Sequence, residues 1–354
     1  MSAEAESPAV ADPVRVAMVG LGVWGRSQME RSVAKSPFVE CVACCDADPA
    51  ETSRFAEEFG LRALGSFEEI LADDEIEAAL LFTPNPVHPA HAMELAAAGK
   101  HAYLTKPVAN HAKEAVDMIS AAEDAGTVLF VDHGMSVTPR VKAIERSIGE
   151  GLVGDVLMAQ ANRSGGPGWK LGPDQWRFHR EKCPGGAMIQ IGVYMTATLA
   201  YLFGKPLRAT ATAMHGLTGA TIENSLVMTV EYESGCRAAV LSSYFTKVNT
   251  HYMHLFGVEG NIFVGPQYLD RAVRYMRDDE WEVKELAVTE TDAVPTAKEQ
   301  FYRQVREARA PEHSLEMALN AVAAIDAGLR SAARGEAVEI AEVLERMPQE
   351  EAKP

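Results

Sequence analysis

The chain predicts an α/β protein in which a doubly wound parallel sheet is followed by an α+β region built on a large, mostly antiparallel open sheet. Three observations carry that expectation. An apolar strand, Val14 to Val19, runs straight into Gly20-x-Gly22-x-x-Gly25. Apolar strand-like runs then alternate with helical segments up to about residue 135, the alternation that produces a parallel sheet. From about residue 136 strands follow one another with few helices between them, as antiparallel sheets require.

Val14, Val16, Met18 and Val19 make a continuous apolar run, as expected of a strand buried on both faces. The glycines after it each have a physical task. They supply a tight turn, close approach of a pyrophosphate to the backbone, and close packing of the next helix on the strand. That helix would offer free N–H groups and positive dipole density to a diphosphate. A second apolar run, Val39 to Cys45, ends in Asp46. This is where a carboxylate would take hydrogen bonds from an adenosine ribose. A lone glycine motif is weak; placed between these strands it predicts a dinucleotide site.

Pro49 to Phe59 reads as a helix, and Ser66 is placed to cap a short one with Glu68 and Glu69 in its first turn. Ala78 to Phe82 is a buried strand, followed by an alanine-rich helix that Gly99 stops. His101 to Leu104 is another strand, Asn110 to Ala125 a helix, and Thr127 to Val131 a further strand. Pro139 to Gly149 reads as a helix leading away from the first domain. Strand character then appears at 156–163, 207–215, 225–232, 237–245, 252–258, 272–276 and 281–286. A helix from about Gly186 to Phe203 interrupts them, and helices at Thr296–Ala308 and Ser314–Ala333 close the chain. The expected domains are therefore 13–135 and 136–340, with tails at 1–12 and 341–354. The uncovered face of such a sheet often becomes a subunit interface, so a homo-oligomer is expected.

Composition limits the partners. Among 354 residues, 47% are hydrophobic and 23% charged, ordinary values for a globular enzyme. No apolar run reaches the roughly 18 residues of a membrane span, and the acidic N-terminus lacks the features of a signal peptide. A net charge of −17 opposes nucleic acid and anionic membranes as partners. Of the five cysteines, Cys41, Cys44 and Cys45 lie in one strand, whose alternation points Cys41 and Cys44 to opposite faces. They read as small buried hydrophobes, no metal site is expected, and a reducing, cytoplasmic setting fits.

Ligands of an open parallel sheet bind beyond the carboxyl ends of its strands. Three loops leave such ends: Gly20–Gly25, Thr83–His88 and Thr105–Pro107. Val23, Trp24, Thr83, Asn85, His88 and Lys106 therefore join Gly20, Gly22, Gly25 and Asp46 as expected cofactor contacts. Asn85 sits in a loop that Pro84 and Pro86 stiffen, which equally describes a plain turn. A lysine facing a cofactor at a strand end helps move a proton; an isolated lysine is more often a solvated charge. On the glycine-led helix Gln190 and Tyr194 are four apart and would share one face. Tyr194 is a candidate acid or base, with a core tyrosine as the ordinary alternative. The polar, glycine-rich stretch before it is too long for packing alone. It offers Arg163, Lys170, Trp176, Arg177 and His179 to a small polar substrate.

GLGVWG, TPNPVH, TKP and PGGAMIQIGVYMTATLAYLFG, in this order and spacing, resemble the family of glucose-fructose oxidoreductase, inositol dehydrogenase and their relatives (the Gfo/Idh/MocA type). The resemblance runs from Val14 to about Ile340. It implies an N-terminal Rossmann domain, a C-terminal domain with an open sheet, bound NAD(P), sugar or cyclitol substrates, and homodimers or homotetramers. Three departures stand out. The family's Glu-Lys-Pro is Thr105-Lys106-Pro107, and its Asp-x-x-x-His is Gln190 and Tyr194. The segment after the last parallel strand, HGMSVTP, lacks an arginine expected there. Family members with tyrosine at the second helix position make Tyr194 a credible acid or base.

The expected activity is NAD-dependent hydride transfer at a secondary hydroxyl of a sugar, sugar derivative or cyclitol. Lys106 and Tyr194 would handle the proton and Gln190 the substrate. Asp46 favours NAD over NADP, because its charge repels a 2′-phosphate. The rivals are a redox-neutral, NAD-assisted epimerisation or elimination, and a non-catalytic NAD-binding sensor.

Overall fold

Continuous apolar strands have no polar face to show to water, and the first sheet is built from such strands. A computed structural model of the chain describes residues 10, 12–165, 172, 174–216, 219–265, 272–277, 282–312 and 314–345. Most of the expected tails, and Lys170, lie outside these residues. The chain divides into two compact units. One holds residues up to 105, 117–132 and 295–315; the other holds 106–116, 133–294 and 316 onward.

In the first unit the described strands are β1 (Val14–Val19), β2 (Val39–Cys45), β3 (Arg62–Ala63), β4 (Ala78–Leu81), β5 (His101–Thr105) and β6 (Leu129–Asp132). They pair in parallel in the order β3-β2-β1-β4-β5-β6. This is the Rossmann order, with its reversal between β1 and β4, where such sheets hold a ligand. The helices are α1 (Val23–Gln28), continuing as a π-helical turn to Val33, then α2 (Pro49–Phe59), α3 (Phe67–Ala72), α4 (His88–Ala97) and, from Asp117 on, α5 (Ala112–Ala125). α2 starts where Asp48 accepts from the Ala50 N–H at 2.9 Å, with Pro49 in its first turn, and stops at Gly60 with φ 69°.

One helix changes sides. Ala297–Glu307, expected in the second domain, belongs to the first unit. Its Phe301 is fully buried, with ring centroids 5.6 Å from Tyr103 and 5.9 Å from Phe130. Its Arg306 grips both carboxylate oxygens of Glu77, at 2.7 and 2.9 Å. These contacts join residues far apart in sequence, which local patterns do not reveal.

The second unit's described strands are β7 (Val156–Ser164), β8 (Pro206–Met214), β9 (Ser225–Tyr232), β10 (Arg237–Ser243), β11 (Thr250–Gly257), β12 (Gly260–Val264), β13 (Val273–Arg277), β14 (Lys284–Glu285) and β15 (Val338–Glu339). They form one sheet in the order β14-β13-β12-β11-β7-β10-β9-β8-β15, antiparallel except between β7 and β10. Helices α6 (Pro139–Gly149) and α7 (Val193–Phe203) belong to this unit, as does most of the helix Leu315–Arg334. At Gly328 that long helix approaches the sheet so closely that a Cβ would lie 3.0 Å from the Met228 sulfur. Met158, Met214 and Val227, on the opposite sheet face by strand alternation, are exposed.

Two expectations change here. β12 was not anticipated, and the sequence from 341 begins with a helix, Ile340–Leu344, rather than a loose tail. Burial of Ile340 and Val343 and a reciprocal cap between Glu339 and Glu342 explain that helix.

An ion pair anchors α6. Arg146 donates to both oxygens of the buried Asp292, each at 3.1 Å, and the Thr289 N–H adds a third bond at 2.8 Å. These bonds hold the Asp292 carboxyl down to about 2. A lowered carboxylate pKa contributes stability above the unfolded value, about 3.9, and loses it as pH falls through about 2. Asp292→Asn should therefore cost about 1.5–3 kcal/mol at pH 7. Urea titrations should show that the gap from wild type shrinks as pH falls below that unfolded value.

Candidate active site

The glycine loop of the first unit shows why each glycine is there. Gly20 has φ 86°, and a Cβ on it would lie 2.8 Å from the Phe82 carbonyl carbon. A Cβ on Gly25 would lie 2.1 Å from the Gly20 oxygen, so α1 can begin there only without a side chain. A Cβ on Gly22 would meet nothing within 4 Å, so that side of the loop is open. Asp46 is fixed beside it: one oxygen accepts from the Leu21 N–H at 2.7 Å, the other from the Asp48 N–H at 3.0 Å. Val23 is 92% exposed and Trp24 46%, large apolar side chains left bare at the start of α1.

After β4, Thr83 has a buried hydroxyl with no hydrogen-bond partner. The His88 Nε2 stands 3.0 Å from the Thr83 carbonyl oxygen. His88 and Asn85 are both buried, so His88 braces this loop from within. An open glycine turn, an oriented carboxylate and an orphaned hydroxyl fit a dinucleotide. The residues would hold the pyrophosphate at Gly20–Gly25 and the ribose at Asp46.

The second unit gathers the remaining candidates. Lys106 directly follows the last residue of β5, and its peptide bond to Pro107 is cis. Its ammonium donates to the Gln190 carbonyl oxygen at 2.6 Å and lies 4.7 Å from the centre of the Tyr194 ring. The Arg163 guanidinium, from β7, lies 4.3 Å from the same ring and donates to the Met135 sulfur at 3.4 Å. Two cations thus stand against Tyr194.

The segment carrying Lys106 is tied down by residues that sequence reasoning missed. Asp326, buried on the helix Leu315–Arg334, accepts from the Ala112 N–H at 3.1 Å. Its other oxygen is 3.6 Å from His111 Nδ1, and that bond raises the His111 pKa. Asn110 Nδ2 donates to the Lys182 carbonyl at 3.0 Å. The only sequence signal for Asp326 is an acid in an otherwise apolar helical stripe.

Gln190 is placed differently from expectation. Its amide oxygen accepts from Arg177 Nε at 3.3 Å, and its amide nitrogen donates to the Cys183 sulfur at 3.4 Å. The side chain is buried and engaged at both ends. A π-helical turn, Met188–Gly192, precedes α7, so the four-residue spacing to Tyr194 is not that of a plain α-helix. Burial pushes the Cys183 thiol up to about 12, so it is a neutral thiol. Arg177 also stacks on Trp176, 4.4 Å from its ring. His179 Nδ1 instead lies 3.8 Å from a Glu181 carboxylate oxygen.

The Pro184-Gly185-Gly186 turn is folded on a second missed acid. Glu223, buried, accepts from the Gly185 N–H at 2.9 Å and pairs with Arg180 at 3.0 Å. Gly186 has φ 43°, and a Cβ there would lie 2.4 Å from the Glu223 carbonyl oxygen. Glycine is required at that position.

Comparison with known proteins agrees with this architecture. Residues 14–133 match the model of an oxidoreductase family with an NAD-binding Rossmann fold, and residues 141–263 match a GFO/IDH/MocA C-terminal domain. The 1,5-anhydro-D-fructose reductase of Ensifer adhaerens is 25% identical over 308 residues, covering 85% of this chain and 91% of its own. A D-xylose 1-dehydrogenase (NADP(+)) of Haloferax volcanii is 28% identical over 313 residues, covering 85% and 92%. The structure of a levoglucosan dehydrogenase in complex with NADH and levoglucosan has the same fold. It superposes with a TM-score of 0.81 at 19% identity, covering 93% of this chain and 100% of the other. The described residues contain no helix long and apolar enough to cross a membrane. With a Rossmann unit, a glycine loop fitted to a dinucleotide and matches in both units, the chain belongs to the Gfo/Idh/MocA family of NAD(P)-binding oxidoreductases.

Proposed function

We propose that the protein is an NAD-dependent dehydrogenase or reductase acting at a secondary hydroxyl of a sugar, sugar derivative or cyclitol. The observation that carries this is the Lys106 ammonium held on the Gln190 carbonyl, 4.7 Å from the Tyr194 ring. Nicotinamide, when bound, supplies the hydride acceptor or donor. In oxidation Tyr194 takes the substrate's hydroxyl proton as phenolate, in reduction its phenol gives that proton back, and Lys106 and Arg163 beside its ring stabilise the phenolate. Gln190 is a positioning residue: it fixes Lys106 through its backbone and Arg177 through its amide. Arg163, Trp176 and Arg177 contact the substrate, with His179 at the edge of that surface. The names of the Ensifer and Haloferax relatives support a sugar.

Asp46 sets the preference for NAD. A 2′-phosphate would meet a carboxylate already aimed by Leu21 and Asp48, and like charges repel. Asp46→Ser should shrink the ratio of NAD to NADP affinity by about tenfold or more, read from dissociation constants by tryptophan fluorescence. Exposed Met158, Met214 and Val227 support a homodimer or homotetramer. Five free cysteines support a reducing, cytoplasmic setting.

The test is absorbance at 340 nm with NAD⁺ and a panel of aldoses, glycosides and cyclitols. Steady NADH formation from one compound is expected. Bound cofactor with substrate conversion but no NADH would favour redox-neutral chemistry, and no dinucleotide binding would overturn the proposal.

A further inference from the structure

The second unit contains a cavity of about 630 Å³, counting its open mouth, that the proton-handling residues do not use. It is bounded by α6, α7 and strands β11 and β12. Met195, the next residue on α7, is in its wall, as is Met135, which accepts a bond from the arginine stacked on Tyr194.

Six lining side chains are apolar, Met135, Val141, Ile144, Met195, Met253 and Val264, while Arg140 and His251 join two threonines as its polar ones. Two of its polar side chains are already committed to the backbone. Thr138 caps α6 through the Val141 N–H, and Thr198 donates to the carbonyls of Ser136 and Tyr194. A hydroxyl-rich ring entering here would lose water and find those two hydroxyls engaged. An apolar group meets six apolar side chains, and the three flexible methionines among them adapt to its shape.

We infer that this cavity is a subsite for an apolar substituent, an aryl or alkyl aglycone, carried by a sugar whose reacting hydroxyl lies at Tyr194. This rests on Tyr194 as the residue that meets the substrate hydroxyl. Free monosaccharides would leave the cavity unfilled, so the preferred substrates are glycosides of apolar alcohols or phenols.

The experiment compares matched methyl and phenyl β-D-glucopyranosides, galactopyranosides and xylopyranosides on NAD-loaded protein. The phenyl member of the turned-over pair should have a kcat/KM about tenfold higher or more. Val264→Trp, at the partly exposed end of β12, should bring the two members within about twofold of each other while the methyl glycoside keeps its rate. Val264→Asp, which places a charge in the wall, gives a second variant should the larger side chain prevent folding. Equal kcat/KM for methyl and phenyl members in the wild type, or a phenyl preference that survives both variants, overturns the subsite. If no glycoside reduces NAD⁺, the dehydrogenase reading fails first, and calorimetric titration with the same pairs tests the cavity by itself. Tighter binding of a phenyl member that Val264→Trp abolishes supports the subsite; equal binding of both members refutes it.

Discussion

Lys106→Met is expected to lower kcat by about 10²–10⁴, the usual contribution of a positioned proton-transfer group. Tyr194→Phe should fall in the same range. The lysine holds two contacts that methionine cannot supply: the 2.6 Å bond to the Gln190 carbonyl and the charge 4.7 Å from the Tyr194 ring. Methionine keeps the length and apolar stem of the side chain, so the fold should persist. NAD affinity, measured in parallel, should change far less than kcat. Residues acting as one unit are non-additive, so Lys106→Met combined with Tyr194→Phe should be little slower than the worse single variant. Additive losses would mean that the two side chains work independently.

Gly25→Ala is expected to be the most damaging small change in the first unit. Its new methyl would lie 2.1 Å from the Gly20 oxygen and 3.2 Å from the Met18 side chain. One of these contacts is backbone, so α1 must move off β1, at about 1–3 kcal/mol or more for an overpacked site. NAD affinity should fall by about 100-fold or more as the loop loses its shape. Gly22→Ala is the matched control, because a Cβ there meets nothing within 4 Å. It should melt within about 2 °C of wild type yet bind NAD about tenfold more weakly, since the methyl fills the open side of the loop. Circular-dichroism melting and fluorescence titration of NAD separate the two effects.

How much was legible in the sequence follows from the range of the interactions involved. The glycine loop, Asp46 and the strands around them were readable because the relevant forces act within one strand–turn–helix unit. Lys106 and Tyr194 were readable as candidates because a strand end and a glycine-led helix mark positions where side chains face ligands. The partnership between them was not, since residues 88 positions apart are brought together only by tertiary packing. The same holds for Asp326 and Glu223, each a buried acid whose partners lie far away in the chain. For Gln190 the residue type suggests a substrate contact, and the structure adds what the sequence hides, bonds of its amide with Arg177 and Cys183. The helix Ala297–Glu307 was legible as a helix, but its place was set by Phe301 and Arg306 meeting the parallel sheet's own residues.

The most direct measurement of hydride transfer uses the panel sugar that reduces NAD⁺, prepared with deuterium on its carbons. Mass spectrometry of the NADH formed should show one deuterium gained from the sugar, with the yield falling sharply in Lys106→Met and Tyr194→Phe. NADH formed without deuterium would show that its hydride comes from elsewhere and would contradict the assignment of this chain as a sugar dehydrogenase.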